Sequence, residues 1–176
     1  MFKTITLLHL AVLVLGLLTA SPAQAKTLDE EIADMKKIYG AVDEIHKPQE
    51  IEIPVGNRTI TLKRVQMITF EREGDFMGIS GKAVLFCQDG RPLGVSMRFR
   101  EKVTQDVFNR RVKEFGTLMK SDDDSKIAQG ARRVVPGVDT ANMFRIDNLN
   151  SVAYLYKGFT MFFMSMPEME MAKARN

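Results

Sequence analysis

Hydrolysis through a Ser or Cys nucleophile usually needs a base beside it, and this sequence offers little for that task. It holds two His and one Cys, and one of the His lies inside the apolar start of the chain. That leaves His46 as the partner for any dyad built on Cys87. Cys87 stands in the apolar run Ala83-Val84-Leu85-Phe86-Cys87, while His46 sits in a helix-to-strand connection, and no nucleophile-elbow sequence frames either. A buried structural thiol and a solvent-facing imidazole are therefore expected. One His and one Cys cannot supply the four ligands of a zinc site. Asp122, Asp123 and Asp124 form the densest acidic cluster, but they lack the alternating spacing, central Gly and distal Glu of a calcium loop. There is no Walker A loop and no G-x-G-x-x-G stretch to cradle phosphates. No catalytic residue and no cofactor is predicted, and the chain is expected not to be an enzyme. The rival, an enzyme working through carboxylate and Arg residues, requires a cleft that holds an Asp or Glu beside an Arg.

Two other groupings carry potential chemistry. Basic residues gather as Arg98, Arg100 and Lys102, as Arg110, Arg111 and Lys113, and as Arg132 and Arg133. Arg98, Arg100, Arg110 and Arg111 are the candidate ligand- or partner-binding residues, since together they can present an anion-binding face. Exposed aromatics do not interleave with them, so nucleic acid is not expected, and the partner is an unknown protein or small ligand. The sequence is also rich in Met, with 12 in all, five of them at Met161, Met164, Met166, Met169 and Met171. Thioethers suit Cu(I), so a periplasmic Cu(I)-binding protein with Met164, Met166, Met169 and Met171 as ligands is an alternative. The same residues fit a plainer role: Phe162, Met164 and Met166 alternate as a strand face does.

Such residues must be positioned by a fold, and composition bounds it. Hydrophobic residues make up 45% and charged residues 27% of 176 positions, which excludes a disordered or collagen-like chain. Residues 1–25 read as a secretory signal peptide: Lys3 leads, Ile5 to Leu18 is apolar, and Ala23-Gln24-Ala25 fits a cleavage site. The apolar run is shorter than the roughly 20 residues of a membrane-spanning helix, so no stable span is expected after cleavage. The expected location is the periplasm or the secreted fraction. A single Cys allows no intramolecular disulfide, so packing must supply the stability.

The mature chain reads as one α+β domain over residues 26–166, followed by a flexible tail at 167–176. Thr27 and Glu30 make a capping box for a helix whose apolar stripe runs Leu28, Ile32, Met35, Tyr39 and Val42, with a break near residues 40 to 46. Ile51 to Val55 and Thr59 to Lys63 alternate around Gly56-Asn57, a hairpin signal, and Pro54 marks the first strand as an edge. Val65 and Met67 fall out of phase with Ile60 and Leu62, which predicts a bulge near Lys63 and Arg64. A long strand is expected from Phe76 to Gln88, kinked at Gly78 and Gly81. The turn Asp89-Gly90 then leads into an alternating strand from Leu93 to Phe99. Thr104 caps a helix with a stripe from Val107 to Met119; Ser121 and the three Asp cap a shorter one that Gly130 ends. Met143 to Asp147, Val152 to Tyr156 and Phe159 to Met166 read as a three-stranded meander. The order predicts a mainly antiparallel, curved sheet packed against two or three helices. With no reacting constellation, the expected function is that of an exported small non-catalytic binding or accessory protein.

Overall fold

The computed structural model describes residues 26–76 and 79–176. The signal peptide expected over residues 1–25, and the kink expected at Gly78, lie outside them. Four helices and ten strands follow one another along the described chain. Helix α1 is Leu28–Tyr39, and its capping box forms as expected: the Glu30 amide donates to the Thr27 hydroxyl and the Thr27 amide to the Glu30 carboxylate, at 3.3 and 2.8 Å. Strands β1 (Val42–Ile45), β2 (Gln49–Val55) and β3 (Arg58–Phe70) follow, then β4 (Gly74–Phe76), β5 (Ile79–Gln88) and β6 (Arg91–Phe99). Helix α2 (Gln105–Val112), β7 (Thr117–Leu118) and α3 (Lys126–Val134) lead to β8 (Phe144–Ile146), β9 (Ser151–Tyr156), β10 (Thr160–Ser165) and α4 (Met166–Ala174).

All strand pairs are antiparallel, in an open sheet ordered β1-β3-β5-β6-β10-β9-β8-β7, with β2 beside β3 and β4 beside β5. Among the described residues, the meander β8-β9-β10 joins the rest of the sheet through β10 and β6, where Met161 faces Met97 and Met164 faces Gly94. Because strand side chains alternate in direction, the sheet feeds two apolar clusters. Val152, Tyr154, Phe162 and Met164 share one with residues of α3 and α4. Ala153, Met161, Met97 and Leu85 share the other with residues of α1 and α2.

The bulge stands where the phase slip placed it. Gln49 pairs with Val65 and Ile51 with Leu62, so three β3 steps oppose two of β2, and Arg64 adopts φ 56°. The turn at Asp89-Gly90 has φ 50° and 76°, the left-handed pair that a two-residue hairpin demands.

Several expectations are corrected. α1 stops at Tyr39 with Gly40 at φ 80°, within the expected break, but Val42, expected on its stripe, opens an edge strand over residues 42–45 that pairs with β3. Phe76 and Ile79 face each other across an antiparallel pair, so two strands stand where one long strand was expected. α2 ends at Val112; Leu118 belongs to β7, and Phe115 joins the α2-side cluster from outside the helix. The cap of α3 is Ser125, whose hydroxyl accepts from the Ala128 amide at 3.2 Å, so the three Asp precede the helix. Gly130 lies inside α3 and does not end it. A Cβ there would stand 3.4 Å from the Cβ of Met166 and 3.0 Å from Glu170 Oε1, so its bare backbone lets α4 approach closely. Among the described residues helices number four, above the two or three expected. The segment expected as a flexible tail is α4: Met169 and Ala172 are fully buried, and that apolar contact holds the helix down.

Candidate functional site

Hairpin geometry decides which main-chain groups β3 leaves free. The two-residue turn at Gly56-Asn57 makes Val55–Arg58 a hydrogen-bonded pair, and so Ile53–Ile60 and Ile51–Leu62. The intervening residues, Thr59 and Thr61, therefore aim their N–H and C=O away from β2. On that side β5 joins β3 from Val65 onward, opposite Gln88, so among the described residues the Arg58–Leu62 stretch has no strand partner there. Pro54 shares this logic on the other edge of the hairpin: its missing N–H points outward and costs the ladder nothing.

A cleft of about 440 Å³ opens along this edge, lined by Arg58, Thr59, Thr61, Pro136, Lys173 and Asn176 among others. No Asp or Glu lines it among the described residues. The Asn176 carboxamide enters from the end of α4: its Nδ2 donates to Thr61 O at 2.7 Å and its Oδ1 accepts from the Lys63 amide at 2.8 Å. The next acceptor, Lys63 O, takes a 2.7 Å bond from Nε2 of the fully buried Gln88. Lys173 Nζ donates to Val134 O at 2.5 Å and to Arg133 O at 3.3 Å, which satisfies carbonyls at the C-terminal end of α3 and complements its dipole. Arg58 Nε donates to Gly137 O at 3.4 Å. Sequence reasoning assigns none of these residues to a binding site and points instead to the first strand of the hairpin, with Pro54, as the edge. The alternation of Thr59 and Thr61 with Ile60 and Leu62 was the available signal, but nothing in it says which side of a strand lacks a neighbour.

The four candidate arginines are exposed and do not share one face. Arg98 lies opposite Lys82 and Thr160, on the side of β6 away from Met97 and Phe99, whereas α2, with Arg110 and Arg111, packs on the Met97 and Phe99 side. Arg100 is paired with Glu73 at 2.8 Å. Of the four candidate Met ligands, Met164, Met166 and Met169 are buried in the cluster of α3 and α4, and the Met171 sulfur accepts from Arg91 Nη1 at 3.6 Å. Among the described residues, no three His, Cys, Asp or Glu side chains converge on a metal position.

Cys87 is buried, its Sγ lies 3.6 Å from Gln66 O, and burial pushes the thiol up to about 11, so it stays protonated near neutrality. His46 bonds through its amide to Met67 O, on the β1 side of β3, whereas Cys87 lies on the β5 side. Two strand spacings, roughly 10 Å, separate their backbones. His46 Nδ1 sits 3.3 Å from Glu44 Oε1 instead.

Several carboxylates meet arginines, among them Asp89, 3.4 Å from Arg64 and 3.8 Å from Arg175, and the more buried Asp123, but none of them lines the cleft. Asp123 accepts from Arg145 Nη1 at 3.0 and 3.3 Å and from the Ser125 amide at 2.9 Å, while Arg132 Nη1 donates to its main-chain carbonyl at 2.6 Å. Arg132 Nη2 also reaches Ser121 O at 2.8 Å, so these bonds clamp the loop before α3. Burial works to raise the Asp123 carboxyl; the Ser125 hydroxyl and amide, then the Arg145 and Arg132 charges, outweigh it and hold the group below its ordinary 3.8. A depressed folded-state value means stability that is present above pH 3.8 and lost as the pH falls through the folded value. Asp123→Asn should cost about 2 kcal/mol at pH 6 and less at pH 2.5, which lies below the ordinary 3.8, so that part of the carboxylate's advantage is already lost there. Urea unfolding at both pH values checks this, and an equal cost at the two would refute the clamp.

Among the described residues no helix is long and apolar enough to cross a membrane. Compared with family models, curated proteins and solved structures, the chain matches none.

Proposed function

We propose that this is an exported, non-catalytic binding or accessory protein that presents the Arg58–Leu62 edge of β3 to a partner. The supporting observation is the cleft itself, in which a strand edge with no strand partner among the described residues lies beside two cations. A strand edge binds by main-chain hydrogen bonds and needs no reacting group, which agrees with a sequence whose one Cys and retained His are separated. Export rests on the leader-like residues 1–25 and places the protein in the periplasm or outside the cell. The finer fold reading is an α+β unit with a sheet curved over its helices, and the bulge at Arg64 supports the bend.

A photo-crosslinking amino acid at Thr59, with a control at the exposed Asp106, tests this. In the cell-envelope and secreted fractions of the native host, a discrete adduct is expected from position 59 and none from position 106. Equal labelling at both positions, or none at 59, would overturn the reading. N-terminal sequencing of the mature protein should begin at Lys26.

A further inference from the structure

The Asn176 contact has a recognisable pattern. In a parallel ladder, one residue donates its N–H to the carbonyl before the facing residue and accepts from the amide after it. The Asn176 carboxamide does this around Leu62, with Thr61 O at 2.7 Å and the Lys63 amide at 2.8 Å. A side chain thus occupies one strand position on this edge. One step toward Arg58, the Thr59 carbonyl and the Thr61 amide offer the next position of the same kind, and no hydrogen bond fills it among the described residues. The slot is closed at its far end by Gln88, and beyond Arg58 the chain at Gly137 and Asp139 bonds the side chains of Arg58 and Asn57.

Charge narrows the occupant. Arg58 and Lys173 bond only carbonyl oxygens, at Gly137, Arg133 and Val134, so both charges stand without a carboxylate partner among the described residues. Pro136 adds an exposed apolar wall between them. An extended strand alternates its side chains, so apolar residues can meet that wall while carboxylates meet the cations.

We propose that this slot recognises an extended acidic segment of a partner protein, paired with the main chain of Thr59 and Thr61, and that Asn176 stands in for one residue of it. The proposal rests on the binding function above and names the chemistry of the partner.

The test uses fluorescein-labelled hexapeptides and the mature chain, read by anisotropy. One peptide alternates Glu and Val, the second Lys and Val, and the third is the Glu peptide N-methylated at alternate amides. Only the first is expected to bind, at least tenfold tighter than either of the others, and to weaken on going from 50 to 500 mM salt. Arg58→Glu should weaken it at least tenfold. Asn176→Ala should tighten it about threefold or more, because the resident amide no longer competes. Circular dichroism melts establish that both variants are folded. Preference for the Lys peptide, indifference to N-methylation, or no binding even with Asn176→Ala would overturn the proposal. Should these occur while the Thr59 crosslink still forms, the binding function stands and only this partner chemistry falls. Loss of the crosslink as well would overturn both.

Discussion

Met169→Ala should lower the stability by about 4 kcal/mol, within the usual cost of truncating a fully buried Met. For a domain of this size the melting temperature should then fall by on the order of 10 °C. Met169 is completely enclosed and shares its cluster with Leu62, Val65 and Ala131, so its removal opens a void where α4 meets the sheet and α3. The same helix carries Lys173 and leads to Asn176, so the loss should also loosen the cleft. Met171→Ala, at a half-buried position two residues on and on the other side of the helix, is the control and should cost under about 1 kcal/mol. A drop of less than 2 °C for Met169→Ala in a calorimetric melt would mean that α4 is not docked as described.

The second large effect is expected at Gly94, in β6. A Cβ there would lie 2.3 Å from the Phe163 carbonyl oxygen and 3.0 Å from Met164 Cα, both backbone atoms of β10. Neither can rotate away as a side chain does, so Gly94→Ala must push apart the pair that joins the meander to the rest of the sheet. A cost of about 3 kcal/mol is expected, at the upper end of overpacking. Gly90→Ala is the informative comparison. Gly90 has φ 76° with open space around it, so only backbone strain of about 1 to 2 kcal/mol applies. Urea midpoints should rank Gly94→Ala well below Gly90→Ala. The reverse order would show that left-handed backbone conformation, not the close approach of β10, limits this region.

The same distinction between local and distant causes separates what could be read from what could not. The capping box at Thr27, the turns at Gly56-Asn57 and Asp89-Gly90, and the phase slip before Val65 all form as expected. Each is settled by side chains within a few residues of one another. Cys87 is buried for a comparable reason, since it lies in a run too apolar to face water. Strands β1 and β7 are four and two residues long and largely exposed, so they carry no periodicity and exist only because β3 and β8 offer partners. The Met-rich end reads from sequence as core strand, tail or metal ligand, and it is α3, bare at Gly130, that supplies the surface on which it docks.

The candidate site divides in the same way. That Thr59 and Thr61 face one way and Ile60 and Leu62 the other follows from the period of a strand, and the amino-acid order alone determined it. Which edge of β3 lies open, and that Arg58, Lys173 and Asn176 meet there, was decided by the tertiary structure. Arg58 is more than a hundred positions from Lys173 and Asn176, and only the ending of β5 at Gln88 and the docking of α4 place them side by side. Local sequence sets the direction of each group, but whether a hydrogen-bonding group keeps a partner depends on segments that arrive from elsewhere in the chain.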